Sequence, residues 1–407
     1  MKHLPLILAA WLMLAAPAWA NRLCTSGYET NNFQQTEWNF SSGAGLSIQT
    51  ATVHSGTYAA RINQTTAVAY ARCAFPSKTT GSVFAREFKY FTTPPNAGAS
   101  LIAISSGGAE NSVRYVISGT TWQITSVGGG TSTGTTVLNA GEWYRFELRV
   151  LLSDTVGEVE GNLYSDMSTT PLETLNLTNQ DTIPTNIQQV YFGSFGATNT
   201  TDLYMDDIAV NNEAGTFQTS WPGPGKIALT KPASDDTVLW TKTGANCSAT
   251  TNTDCVDDVP GTPDDVSGYN MSATANQEDR LNTTTLPAEV PSDADMILLD
   301  VYDRWDGNGS TGTRTGRHLI WDEASAQTNG PTHARCDVAA GNWSIANSAQ
   351  HSVFDLGTRT KANVESFDLG YEPINSAECR VTALWGNVEW KAAAVVTGMK
   401  RRAIVFD

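Results

Sequence analysis

Two adjacent acids, Asp206 and Asp207, stand inside a strand-like run, Leu203 to Val210. Asp is a poor strand residue, so a pair of them calls for a bulge, a cation or a buried hydrogen-bond network. Neighbouring strand residues point to opposite faces, so both cannot reach solvent without a bulge. A buried carboxylate without a partner is costly or stays protonated. The chain offers two kinds of partner, a cation or a basic side chain such as Arg61 or Arg145. A second acid pair, Glu158 and Glu160, shares one strand face but has no third acid beside it, and reads as a solvated face. Histidine is scarce: after residue 20 there are His54, His318, His333 and His351. No Gly-x-Ser-x-Gly elbow and no His-Glu-x-x-His motif occurs. No catalytic residue is assigned, and the chain reads as a non-enzyme.

Aromatic side chains offer a different chemistry, because sugar rings stack on exposed aromatic faces. The chain has twelve tryptophans. Trp122, Trp305, Trp321 and Trp343 lie in or beside polar, loop-like sequence and are the candidate ligand-binding residues. Trp38, Trp143, Trp240, Trp385 and Trp390 sit in strand-like sequence and are expected in the core.

The first twenty residues have the form of a secretory leader. Lys2 and His3 precede the apolar run Leu4 to Ala16, and Ala18-Trp19-Ala20 is a small-x-small cleavage site. The run is too short to span a bilayer, and no later segment is long and apolar enough. The formal net charge is −16. That balance argues against nucleic acid or anionic lipid as partner and suits cation binding. Six cysteines fit an oxidising compartment. The preferred pairing is Cys24–Cys73, Cys247–Cys255 and Cys336–Cys379, although the four cysteines of the second half allow three connectivities. A secreted or periplasmic location is expected. No organic cofactor is implied, and no oligomeric state is specified.

The elements that would position these groups are strands. Leu46–Val53, Tyr58–Ile62, Ser82–Phe91, Val113–Ile117, Trp143–Leu152 and Gln189–Phe195 alternate or are rich in β-formers, with Gly, Asn, Thr and Pro between them. Gly128-Gly129-Gly130 is a hairpin loop. Trp221-Pro222-Gly223-Pro224-Gly225 can continue neither strand nor helix. The expected layout is a leader at 1–20, a jelly roll at 21–212, a Pro/Gly linker at 213–226 and a second β-rich domain at 227–407. If the linker is a true boundary, proteolysis near 211–219 should leave two folded fragments. In the second half Met296–Tyr302 is a central strand, with Arg317–Trp321 as its hairpin partner and Asp303–Gly309 as a long turn between them. Val381–Trp390 closes the domain as a strand pair or a bent strand.

Gly27-Tyr28-Glu29, Trp38, Ser55-Gly56-Thr57-Tyr58-Ala59-Ala60-Arg61, Gly141 to Leu148 and the closing Asp206-Asp207-Ile208 strand, in that order, resemble the concanavalin-like or laminin-G-like jelly roll and related carbohydrate-binding modules. The resemblance implies an all-β fold, with an N-terminal concanavalin-like jelly-roll sandwich followed by a second β-sandwich-like domain. It also implies a structural Ca²⁺ shared by Glu29 and by Asp206 or Asp207, whose hard oxygens suit that ion. The linker, the Lys231-Pro232 start, the Pro263-Asp264-Asp265 loop, the Met296–Tyr302 strand and Val364 to Phe367 are together similar in layout to structural proteins of tailed bacteriophages. The expected function is non-catalytic binding of a carbohydrate or another surface. A structural or assembly role in a cell surface, filament or particle is the alternative, and a glycoside hydrolase comes third.

Overall fold

A computed structural model describes residues 22–393 apart from 34–36, 39, 44, 65–67, 94–97, 108–111, 184, 196–200, 248–250, 259, 261, 308–313, 335, 337–343, 346–350 and 376–377. The leader therefore lies outside the described residues. The fold is all-β: four antiparallel sheets carry the chain. Among the described residues no helix is long and apolar enough to cross a membrane.

Sheets A and B take their strands from residues 22–212. Sheet A has eight strands, in the order Glu173–Gln180, Gly157–Ser165, Trp143–Leu151, Ser82–Phe91, Thr201–Asn212, Ala59–Gln64 and Leu46–Gln49, with Arg22–Ser26 also paired to Thr201–Asn212. Sheet B has seven, in the order Thr131–Thr133, Thr121–Thr125, Ser112–Ser118, Ser100–Ser105, Ile187–Phe195, Ala69–Lys78 and Phe40–Ser42. Neighbours in space are often distant in sequence, as in a jelly-roll sandwich. Period-two alternation builds the core between A and B. In Trp143–Leu151 the residues Tyr144, Phe146, Leu148 and Val150 face inward, and Trp143, Arg145, Glu147 and Arg149 face out. Ser82–Phe91 breaks the rule: its inward Glu87 and Lys89 form a fully buried ion pair, 2.7 Å apart. Burial pushes the Glu87 carboxyl up to about 7 despite Lys89.

Sheets C and D are built from residues 226–391 and enclose a second core. The strand Asp295–Gly307 runs thirteen residues, so Asp303 to Gly307 is strand and not turn. Its main neighbour is the single long strand Cys379–Lys391. Thr315–Trp321, expected as its hairpin partner, lies in sheet D beside Asp368–Pro373. The turn reading failed because buried Asp303 and Asp306 mimic loop polarity. Asp303 stands 3.3 Å from buried His318, and Asp306 stands 3.7 Å from Arg380.

Two disulfides form, Cys247–Cys255 and Cys336–Cys379. Cys24 and Cys73 do not make the third bridge: they are buried thiols. They belong to strands of different sheets. Their thiols touch, and burial and then the hydrogen bond with Cys73 push Cys24 well above the ordinary thiol range.

The two sandwiches meet along a buried polar seam. Glu389 of the last strand is paired with both Arg22 and Arg86, and all three side chains are fully buried. Burial would raise the Glu389 carboxyl, but the two guanidiniums hold it below its usual range. Asn387 donates to the Thr25 carbonyl at 3.0 Å, and Lys226 Nζ donates to the His54 carbonyl at 3.0 Å. The connector is packed as well, with Trp221 edge-on to Phe84 and the Gly223 carbonyl accepting from Arg86.

Removing one partner of a buried ion cluster is far worse than removing all of it. Glu389→Gln, which strands Arg22 and Arg86, is expected to cost roughly 3–5 kcal/mol in denaturant unfolding. Both halves should lose stability in one transition, in place of the two independent fragments that the linker sequence suggests. The folded pKa is depressed, so this stability is present above the unfolded carboxyl value near 4.3 and is lost as pH falls through the lower folded value. Two separate transitions in the wild-type protein, with only one shifted by the substitution, would count against the shared seam.

Candidate ligand-binding face

The outward face of sheet A carries a row of side chains in direct cross-strand register. Trp143 stands opposite Tyr90, Tyr90 opposite Tyr204, Tyr204 opposite Arg61, and Arg61 opposite Ser47. Asp166 continues the row beyond Trp143, donating its backbone N–H to the Trp143 carbonyl. The Tyr90 ring lies 5.6 Å from Trp143 and 6.0 Å from Tyr204, and both Tyr90 and Trp143 are half-buried. Arg61 stands 5.5 Å over the Tyr204 ring and is held by Asp202 through two bonds of 2.9 and 3.0 Å. That bond, ahead of the residual burial, keeps the Asp202 carboxyl below its usual range.

Beside the row lies an Asp–His–Asp chain. The His54 ring stacks on Phe88 at 4.0 Å and stands 5.1 Å from Trp143. Its Nδ1 is 2.5 Å from Asp207 and its Nε2 is 2.6 Å from Asp166. Burial opposes charge on the ring, but the two carboxylates outweigh it and raise the imidazolium pKa above the ordinary value. Asp207 occupies the left-handed region at φ 48°, within a bulge between Asp206 and Ala209. The bulge lets both acids engage the His54–Ser55 segment, and both are fully buried. Asp206 accepts from the backbone N–H groups of His54 and Ser55, while Asp207 accepts from Ser55 Oγ and from the Ile227 N–H across the seam.

The partner of the double acid is thus His54, which the sequence reading did not consider. Arg61 is engaged by Asp202, and Arg145 stands beside Glu147 and over the Tyr164 ring at 3.8 Å. Glu29 accepts from the N–H groups of Thr57 and Tyr58, and burial lifts its carboxyl to about 8. Burial and then Asp207 raise Asp206 well above its usual range. Among the described residues no group of three or more His, Cys, Asp or Glu side chains is placed to hold a metal ion. The oxygens of Glu29, Asp206 and Asp207 are taken up by backbone N–H groups, Ser55 and His54.

The tryptophans proposed from loop-like sequence fare differently. Trp122 faces inward, fully buried, stacked on Tyr115 at 4.6 Å, and its indole N–H donates to Glu173 at 2.9 Å. Trp305 is buried in the second core. Trp321 is outward on sheet D but only 4% exposed, lying against Gly370 with the Arg280 guanidinium 5.2 Å above its ring. Trp343 lies outside the described residues. Trp143, expected in the core, is the one that reaches the open face. Its signal was present in the alternation, since Tyr144, Phe146 and Leu148 claim the opposite face.

The site thus belongs to an all-β protein of two antiparallel sandwiches. No family model matches the chain, and no curated protein matches it. Among solved structures, the cellulose-induced protein Cip1 is 16% identical, with TM-score 0.35, covering 49% of this chain and 98% of that one. Domain 4 of AbnA, an arabinanase from Geobacillus stearothermophilus solved with arabinotriose, is 10% identical with TM-score 0.30, covering 49% and 95%. The tandem CBM22 pair of Xyn10C from Paenibacillus barcinonensis is 7% identical with TM-score 0.24, covering 92% and 99%.

Asp207→Asn keeps a residue that tolerates positive φ but places a donor where two acceptors are needed. It is expected to cost roughly 2–4 kcal/mol in thermal or denaturant unfolding. Chelator should leave the wild-type melting temperature unchanged. A fall on chelation that Asp207→Asn abolishes would restore the cation reading.

Proposed function

We propose that the chain is a non-catalytic polysaccharide-binding protein and that its binding face is the row Trp143–Tyr90–Tyr204–Arg61. The row itself carries this reading. Two partly exposed rings, Trp143 and Tyr90, stand in register with buried Tyr204 and the Arg61–Asp202 pair, offering apolar faces for sugar rings beside fixed donors and acceptors for their hydroxyls. Two disulfides support an oxidising, extracytoplasmic setting.

The charge state of the acids near the row speaks against catalysis. Glycoside cleavage needs one carboxyl kept protonated by a raised pKa. The two acids flanking the row, Asp166 and Asp202, are both held below the usual range, chiefly by their bonds to His54 and Arg61. Glu158 and Glu160 are paired with Arg149 at 3.2 and 3.6 Å. Ser352, His318 and Asp303 do form a chain, at 2.8 and 3.3 Å, but all three are buried in the second sandwich, out of reach of a polymer.

The test is affinity electrophoresis of the full chain against a panel of soluble polysaccharides, with reducing-end release measured in parallel. One or more neutral glycans should retard the wild type. Trp143→Ala should weaken that retardation about tenfold or more, as loss of a central aromatic anchor does. Trp122→Phe should leave it unchanged, because that ring serves the core. Equal retardation of wild type and Trp143→Ala would move the site elsewhere, and release of reducing ends would make the protein an enzyme.

A further inference from the structure

Sheet B has an unusual composition for this chain. The protein carries 41 acids against 25 basic residues, yet none of the seven strands of sheet B contains an Asp or a Glu. Their outward face does carry arginines. Thr125, Arg114, Ala103, Tyr191 and Arg72 form one cross-strand row. Arg114 and Arg72 are three strand spacings apart in that row, about 14 Å. Between them lie buried Ala103 and Tyr191, with the partly exposed Tyr70 edge-on to Tyr191 at 4.9 Å.

On sheet A the outward arginines are paired with carboxylates. Arg61 is paired with Asp202, Arg145 with Glu147, and Arg149 with Glu158 and Glu160. Arg114 has no such carboxylate among the described residues. Its Nε is buried without an acceptor, as is Thr125 Oγ1 beside it. Buried donors are normally satisfied, so an outside acceptor is the natural complement. Thr125, Ala103 and Tyr191 are buried, while Tyr70, Arg72 and Arg114 keep partial exposure, so the two guanidiniums and the Tyr70 ring are the reachable groups.

We infer that the outward face of sheet B binds an acidic polysaccharide, with carboxylates of its uronate units received by Arg114 and Arg72. A planar carboxylate matches a guanidinium fork, and the partly exposed Tyr70 ring supplies an apolar face for the sugars between. A nucleic acid suits the site less well. Two arginines neutralise few phosphates, and the net charge of −16 repels a dense polyanion. A uronate chain spreads one charge per sugar, a spacing that two separated guanidiniums can meet. This site is separate from the sheet A row and does not depend on it.

The experiment is calorimetric titration of the full chain at low salt with polygalacturonate, with the same polymer after methyl esterification, and with a single-stranded RNA of equal charge. Polygalacturonate should bind, and esterification should weaken binding about tenfold or more, since it removes the charge-assisted bonds while keeping the backbone. Arg114→Gln should weaken binding about tenfold, and Arg114→Lys should be intermediate. Melting curves establish that the variants are folded, and the esterification arm needs no variant. The proposal is overturned if no binding occurs, if the ester binds equally, if folded Arg114→Gln binds like wild type, or if the RNA binds as tightly.

Discussion

Glu389 between Arg22 and Arg86 is the interaction on which the arrangement of the two sandwiches depends. A lone carboxylate could not be kept charged at full burial, and a lone buried guanidinium, which stays charged, would be a costly unpaired cation. Each residue is tolerable only because the other two are present, and they come from the first strand, a central strand of sheet A and the last strand of sheet C. The cluster therefore specifies how the halves dock more than it stabilises either one. Apolar contact alone would allow sliding; three buried charges allow one registration.

That docking determines which part of sheet A remains available. The connector and the second sandwich cover the face around Phe84, Arg86 and Glu147. What stays open is the end bearing Tyr90 and Trp143. His54 sits at the border between the two regions. Its ring contacts Phe88 and Trp143 on the open side, while its carbonyl and its neighbour Ser55 are bonded to Lys226 and Ile227 of the second half. The same few residues thus finish the binding face and begin the seam.

The strands were legible in the sequence because alternation survives wherever one face is apolar, as in Trp143–Leu151. The bulge was legible as well, since two adjacent acids in a strand leave little alternative. What misled was local polarity. Trp122 lies among threonines and a glutamine and looks exposed, yet it is an inward residue whose N–H is satisfied by Glu173, fifty-one positions away. Asp303 and Asp306 look like a loop because their partners, His318 and Arg380, are distant in sequence. The pairing of His54 with Asp166 and Asp207 has the same origin, spanning 112 and 153 positions. Local pattern reports which face a residue takes. It does not report what waits on the other side.

The aromatic row on sheet A has one more property. Its three rings sit on three adjacent strands, so the step from ring to ring is dictated by backbone hydrogen bonding and not by the side chains themselves. The surface works as a ruler whose graduations are engraved in the main chain. Exchanging Tyr for Trp or Phe at any graduation alters what is read there without moving the marks. A lineage of such proteins could therefore drift from one polymer to another by changing ring types in place, with neither the sheet nor its docking to the second half needing to be rebuilt.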